Sequence, residues 1–195
     1  MTGVQTCALP ILGDLGDPNA VYRRQGFYNA VDKEPDLFEK PVEIPSKWDA
    51  NTALSNIRSA FEAHPEIDFL FTSSDFLYPQ IKAVLAPLGK WVPAGEEGHI
   101  ILGGLDGDAT ACRLMEEGIV DATGVQDLYA EADMLLTALL EAIEKGEKTP
   151  TNWMDDPGFA LTQANMDDRK MDMWGCKLLA KEREQSRQSA TVAED

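Results

Sequence analysis

Asp106 is the side chain of this sequence most clearly placed to do chemistry. It follows the apolar run Ile100, Ile101 and Leu102, is bracketed by Gly103, Gly104 and Gly107, and precedes Asp108, after which Ala109, Cys112, Leu114 and Met115 are the apolar positions of a helical pattern. Three consecutive apolar residues are too few for a helix and suit a buried parallel strand. Asp106 is therefore expected just past the carboxyl end of a strand and beside a helix N-terminus, where open α/β sheets hold their ligands. A carboxylate there accepts hydrogen bonds from hydroxyls or amines, or holds a metal. A helix-capping Asp in a tight turn would give the same pattern. Other polar groups fall at comparable strand ends: Asp14 and Asp17, Trp48 and Asp49, Ser74 and Asp75, and Gln126. Converging hydrogen-bonding groups around one aromatic plane, without a catalytic base, suit binding of a small polyhydroxylated molecule.

Catalytic signals are missing from the sequence. His64 and His99 sit at element edges and read as surface or capping residues. HExxH, GxSxG, P-loop and GxGxxG patterns do not occur, and carboxylates are so abundant that any pair of them says little about acid/base work. Neither a catalytic residue, a metal nor a cofactor is expected. Cys7, Cys112 and Cys176 lack CxxC or Cys/His spacing, and their odd number does not suggest a disulfide framework, so they read as buried or idle thiols. The net charge of -17 disfavours nucleic acid and anionic membrane surfaces as partners, the Lys and Arg being scattered. No apolar run approaches the ~20 residues of a membrane span.

The elements that must position these groups alternate along the chain. Residues 12–15 end a strand, Asn19 caps a helix with Val21, Tyr22, Phe27 and Val31 on one stripe, and residues 42–44 form a short strand between prolines. A helix over 51–64 turns Leu54, Ile57 and Phe61 to the sheet, and strand 67–72 precedes a helix with Leu77, Ile81, Val84, Leu85 and Leu88 in register. The strand before Asp106 and its helix come next, then strand 119–125, a long helix over 128–144, irregular residues 150–158, a last strand over 159–162, and a helix over 171–187. Residues 186–195 are polar and expected to fray. Strands alternating with helices of this length predict an α/β fold with a right-handed, parallel, doubly wound sheet.

Taken in order, NAVYRRQGF (19–27), PSKWDAN (45–51), FLFTSSD (69–75), ILGGLDG (101–107), DATGVQ (121–126) and ALTQANMD (160–167) resemble the second lobe of the type I periplasmic sugar-binding proteins. These are the ribose- and galactose-binding class that feeds ABC importers, and the resemblance covers roughly residues 12–168. It implies a monosaccharide ligand, an ABC transporter permease as partner, and a periplasmic or extracellular location. It implies that Arg23 donates a fork of bonds to sugar oxygens and that Trp48 stacks on the C–H face of the ring. By the same resemblance Asp106 accepts from sugar hydroxyls, and Gln126 stands at a crossover between lobes. Ser74 and Asp75 complete the implied site, with Ser74 where the family often has Asn, which leaves the identity of the sugar open.

The resemblance also divides the chain. Residues 12–126 would be the second lobe, 127–150 a helix belonging to the first lobe, 151–168 the returning crossover and last strand, and 169–195 a C-terminal helix and polar tail. The first lobe would be mostly missing, leaving one wall of the cleft open and Leu135, Leu136 and Leu139 exposed. Residues 1–11, MTGVQTCALPI, resemble the translation of a sequencing-library adapter rather than an export signal, so the natural sequence is expected to begin near Leu12. Two other readings share the sheet. A regulator of the lactose-repressor type would add a helix-turn-helix upstream, and a sugar-phosphate isomerase or hydrolase would need a nucleophile or base at a strand end.

Overall fold

A computed structural model describes residues 5–148 and 154–192. Parts of four sequence expectations lie outside the described residues: residues 1–4 of the N-terminal peptide, residues 149–150 at the end of the segment assigned to the first lobe, residues 151–153 of the returning crossover, and residues 193–195 of the tail. Six strands form one sheet in the order β2-β1-β3-β4-β5-β6. They are β1 (Ala8–Leu12), β2 (Ile44–Pro45), β3 (Phe69–Thr72), β4 (Ile101–Asp106), β5 (Ala122–Val125) and β6 (Phe159–Thr162). The first five run parallel, and β6 closes the edge antiparallel to β5. The sheet is therefore mostly rather than wholly parallel.

The fold begins earlier than the sequence implied. All five residues of β1 are buried, between β2 and β3, so residues 8–11 are part of the sheet whatever their origin. Helix α1 (Pro18–Val31) is capped by Asp17, whose carboxylate accepts from the Asn19 N–H, and not by Asn19. Pro18 supplies the first helical φ at no hydrogen-bond cost, and the start lies two residues earlier than expected. Its inner face is Ala20, Phe27 and Val31, while Val21 and Tyr22 are 45% and 73% exposed, against the expected stripe.

Helix α2 (Ala50–Ala63) is capped by Asp49, α3 (Tyr78–Leu85) follows a 3-10 turn over Asp75–Leu77, and α4 (Ala109–Glu116) is capped by Asp108 as the sequence predicts. Leu88, beyond the end of α3, is exposed. Helix α5 (Leu128–Glu144) has the predicted extent. After β6 come the single turn α6 (Met166–Arg169) and α7 (Trp174–Val192), which stays helical through much of the stretch expected to fray.

Because β1 to β2 steps one way along the sheet and every later parallel step goes the other, right-handed crossovers put α1 on one face and α2, α3 and α4 on the opposite one. The packing follows. Ile57 and Phe61 of α2, Ile81 and Leu85 of α3, Leu114 of α4 and Leu179 of α7 join Leu9, Ile11, Leu70 and Leu102 of the sheet in the main core. Each fully buried Leu or Ile of this kind stabilises the fold by about 1.5–3 kcal/mol.

The other face carries only a small cluster of Ala8, Phe27 and Val31 with Phe38, Phe69 and Phe71. The strand run 100–102, expected to be buried on both faces, is open on this one: Ile100 and Leu102 are buried and Ile101 is 52% exposed. Within α5 only Ala142 is buried, and Leu135, Leu136 and Leu139 are exposed.

The cysteines depart furthest from the sequence reading. Cys112 of α4 and Cys176 of α7 are joined in a disulfide across 64 residues, and Cys7 is free and buried beside β1.

Candidate functional site

The carboxyl ends of β1 to β5 lie along one edge of the sheet, and the polar groups gather above it. The direction in which successive strands are laid along the sheet reverses between β1 and β3, which is where an open α/β sheet leaves a crevice. Arg23, on the second turn of α1, reaches across that crevice. Its Nη1 donates to the Ser73 carbonyl at 2.7 Å, and its Nη2 donates to Gln126 Oε1 at 2.7 Å and pairs with Asp106 Oδ1 at 2.8 Å. Arg24 turns away to Glu43 and Tyr28, as a helix-surface arginine does. Ser74 Oγ donates to the second oxygen of Asp106. The indole of Trp48 lies 5.8 Å from the Arg23 guanidinium. Five of the six residues nominated from sequence, Arg23, Trp48, Ser74, Asp106 and Gln126, are thus brought together.

The sixth is not at the surface of the site. Asp75 is fully buried, with Oδ2 accepting from the Gly107 N–H at 2.7 Å and from Thr123 Oγ1 at 3.1 Å. The 3-10 turn that starts at Asp75 directs its carboxylate under the sheet end while Ser74 faces Asp106. Asp75 is corrected from a ligand contact to a support of the Asp106 turn.

Two of the assembled residues hold unusual backbone. Trp48 has φ 55 and Asp106 has φ 113, the left-handed side of the map, which non-glycine residues occupy only where their surroundings over-determine it. Such positions cluster at ligand sites. The indole Nε1 of Trp48 donates to Asp17 Oδ2 at 2.9 Å, and its ring covers Gly13 so closely that any side chain there would overlap it. Gly13→Ala is accordingly expected to expel the ring, making exchange of the Trp48 indole N–H at least about tenfold faster by NMR. An indole signal as protected as in the parent would show that the ring has room.

Burial outweighs the opposing groups at Asp106. Burial pushes its carboxyl above the ordinary range, while the Ser74 hydroxyl and the Arg23 charge pull it back down. Asp17 is held low, first by the backbone N–H of Asn19. Three supporting residues were not nominated for the site. Asp17 was visible as a strand-end acid. Glu131 accepts from Gln126 Nε2 at 3.0 Å, and Trp174 donates from Nε1 to the Asp106 carbonyl at 2.9 Å. Neither had a local signal, since both depend on how α5 and α7 return to the sheet.

Carboxylate, amide and hydroxyl groups stand around one guanidinium and one indole on the rim of an open sheet, an arrangement able to donate to and accept from hydroxyls and to cover a ring face. Among the described residues no group of three or more His, Cys, Asp and Glu could hold a metal ion, and no helix is long and apolar enough to cross a membrane. A family model described as a periplasmic binding protein domain matches residues 7–148. The chain belongs to this family.

Among periplasmic binding proteins, a D-apiose import binding protein of Actinobacillus succinogenes is 25% identical over 123 residues, 63% of this chain and 37% of that protein. A solved ABC transporter periplasmic solute binding protein of the same species, with bound D-allose, superposes with a TM-score of 0.71 at 18% identity, covering 84% of this chain and 55% of that one. An ABC transporter solute binding protein of Bacillus halodurans with bound myo-inositol gives 0.71 at 20% identity, covering 86% and 55%. The solved structures show the fold, that of the type I periplasmic binding proteins. The chain spans little more than half the length of these solved relatives.

Proposed function

We propose that this chain is the ligand-holding part of the solute-binding component of an ABC-type sugar importer, which takes a monosaccharide reversibly and makes or breaks no bond in it. The observation that carries the reading is the convergence of Arg23, Asp106, Gln126 and Ser74 beside the face of Trp48. Arg23 donates to sugar oxygens while Asp106 accepts from sugar hydroxyls, and the indole covers the apolar C–H side of the ring.

Residues 12–126 are read as one lobe and α5 as a helix of the other. Gln126, held by Glu131 of α5, sits at the passage between them. Sugar that touches both lobes stabilises the closed state only through contacts the open state lacks, and the closed form is what a permease reads. The Cys112–Cys176 disulfide supports a location outside the cytoplasm, where disulfides persist.

One wall of a two-walled cleft binds weakly, so the 195-residue chain is expected to bind at about millimolar Kd. The test is an NMR titration of the chain with D-apiose, D-allose and myo-inositol, following the Trp48 indole and the Gln126 side-chain amide. Saturable shifts of both with at least one of the three are expected. Titrations that leave both signals in place up to about 50 mM, roughly tenfold above such a Kd, would overturn the reading.

A further inference from the structure

We propose that the first turn of α7 is a clamp that positions Asp106, an inference that rests on Asp106 being a ligand residue. Asp106 stands at φ 113 and Gly107 at φ 80, a turn that persists only if something holds it. From below, Asp75 accepts the Gly107 N–H. From the side, three consecutive residues of α7 engage the same turn by different means. Trp174 donates its indole N–H to the Asp106 carbonyl at 2.9 Å. Gly175 donates its backbone N–H to the Gly107 carbonyl at 3.1 Å and lies flush on the backbone of Asp108, where any side chain would overlap it. Cys176 is bonded to Cys112 of α4, the helix that Asp108 caps.

The covalent link makes α4 and α7 one unit on either side of the turn, so the turn cannot relax without moving both. The same indole meets Tyr129 edge-on, with centroids 5.7 Å apart and planes at 61°. Tyr129 lies in the first turn of α5, just beyond Gln126. Trp174 therefore touches the backbone behind one polar group of the site and the helix that follows another. It is a positioning residue, acting on the sugar through Asp106.

The test uses the 195-residue chain, its Trp174→Phe variant, which keeps a ring against Tyr129 but removes the N–H, and Gly175→Ala, which pushes the turn of α7 off Asp108. Amide exchange at Gly107 is expected to quicken about fivefold in Trp174→Phe, the effect of one lost hydrogen bond, and more in Gly175→Ala. The urea midpoint of Trp174→Phe should fall by no more than that one bond accounts for, about 1 kcal/mol of unfolding free energy for a fivefold change. The Kd of whichever of D-apiose, D-allose and myo-inositol binds the parent should rise by a similar factor. Dithiothreitol, which converts the disulfide to two thiols and is itself oxidised to its cyclic disulfide, should speed the same amide, and reoxidation should restore it.

Parent-like exchange at Gly107 in both variants overturns the clamp, as does quickened exchange with the sugar Kd unmoved. If none of the three sugars binds the parent, the sugar reading fails by itself, and the exchange measurement still decides whether α7 holds the turn.

Discussion

Asp106→Ala is expected to abolish the sugar response of the Trp48 and Gln126 signals while leaving the protein folded at pH 7. The carboxylate is the one acceptor in the cluster able to take two sugar hydroxyls at once, and hydrogen bonds to a charged group contribute about 1.5–3 kcal/mol each. Losing two of them weakens binding by about a hundredfold or more, which carries a millimolar complex out of range. Stability is expected to fall modestly, because Ala is strained at φ 113 and Arg23 and Ser74 lose an acceptor; the raised carboxyl of Asp106, held up by burial, partly offsets this at neutral pH. Arg23 keeps the Ser73 carbonyl and Gln126 Oε1 as hydrogen-bond partners in the variant, so its guanidinium stays bonded although it loses its counter-charge.

Asp106→Asn separates shape from charge. It keeps the side chain's length and a residue type that tolerates positive φ, and should bind about tenfold more weakly than the parent, the loss of one charge-assisted bond. An Asp106→Ala protein that responds to the sugars as the parent does would remove Asp106 from the site.

How much of this was legible in the sequence differs by element, for physical reasons. Strand, glycine turn and capping Asp at residues 101–108 were readable because each step is a local preference: an apolar run, backbone freedom at Gly107, and a side-chain acceptor at Asp108. The five strand-end groups were readable as a set because parallel strands must all deliver their carboxyl ends to one edge.

Ser74 and Asp75 were not separable. They are adjacent, and the short 3-10 turn, which has no sequence period of its own, decides which of the two faces the crevice. Ile101 was read as buried because the apolar run cannot show that one face of the sheet lacks a covering helix. The Cys112–Cys176 pair and the Trp174 contact were out of reach altogether, being set by the return of α7 across 64 and 68 residues rather than by spacing.

The buried carboxyl beneath the site should give the protein a recognisable pH dependence. Desolvation, with the nearby Asp108 and Asp106 charges, raises Asp75 well above the ordinary range, against the opposing pull of the Gly107 N–H and the Thr123 hydroxyl. Above the free value of about 4 the unfolded chain has released this proton while the native state still holds it. The native state then binds more protons than the unfolded one, so this group's contribution to stability falls as pH rises through the window between the free and the raised values, and levels off above it.

Asp75→Asn should remove that fall, since the amide fills the same space and can still accept from Gly107 and Thr123 without titrating. Urea unfolding of parent and variant at several pH values isolates the effect, because every other carboxylate is common to both. The Asp75→Asn protein should gain on the parent as pH rises, and curves that stay parallel from about pH 4 to pH 8 would show that burial has not raised the Asp75 carboxyl. Asp75→Ala should instead destabilise at every pH, by about 3 kcal/mol. It leaves the Gly107 N–H and the Thr123 hydroxyl buried without an acceptor and empties space beside Tyr78 and Gly104. Because Asp75 carries the turn on which Asp106 stands, that variant should also lose the sugar response, whereas Asp75→Asn should keep it.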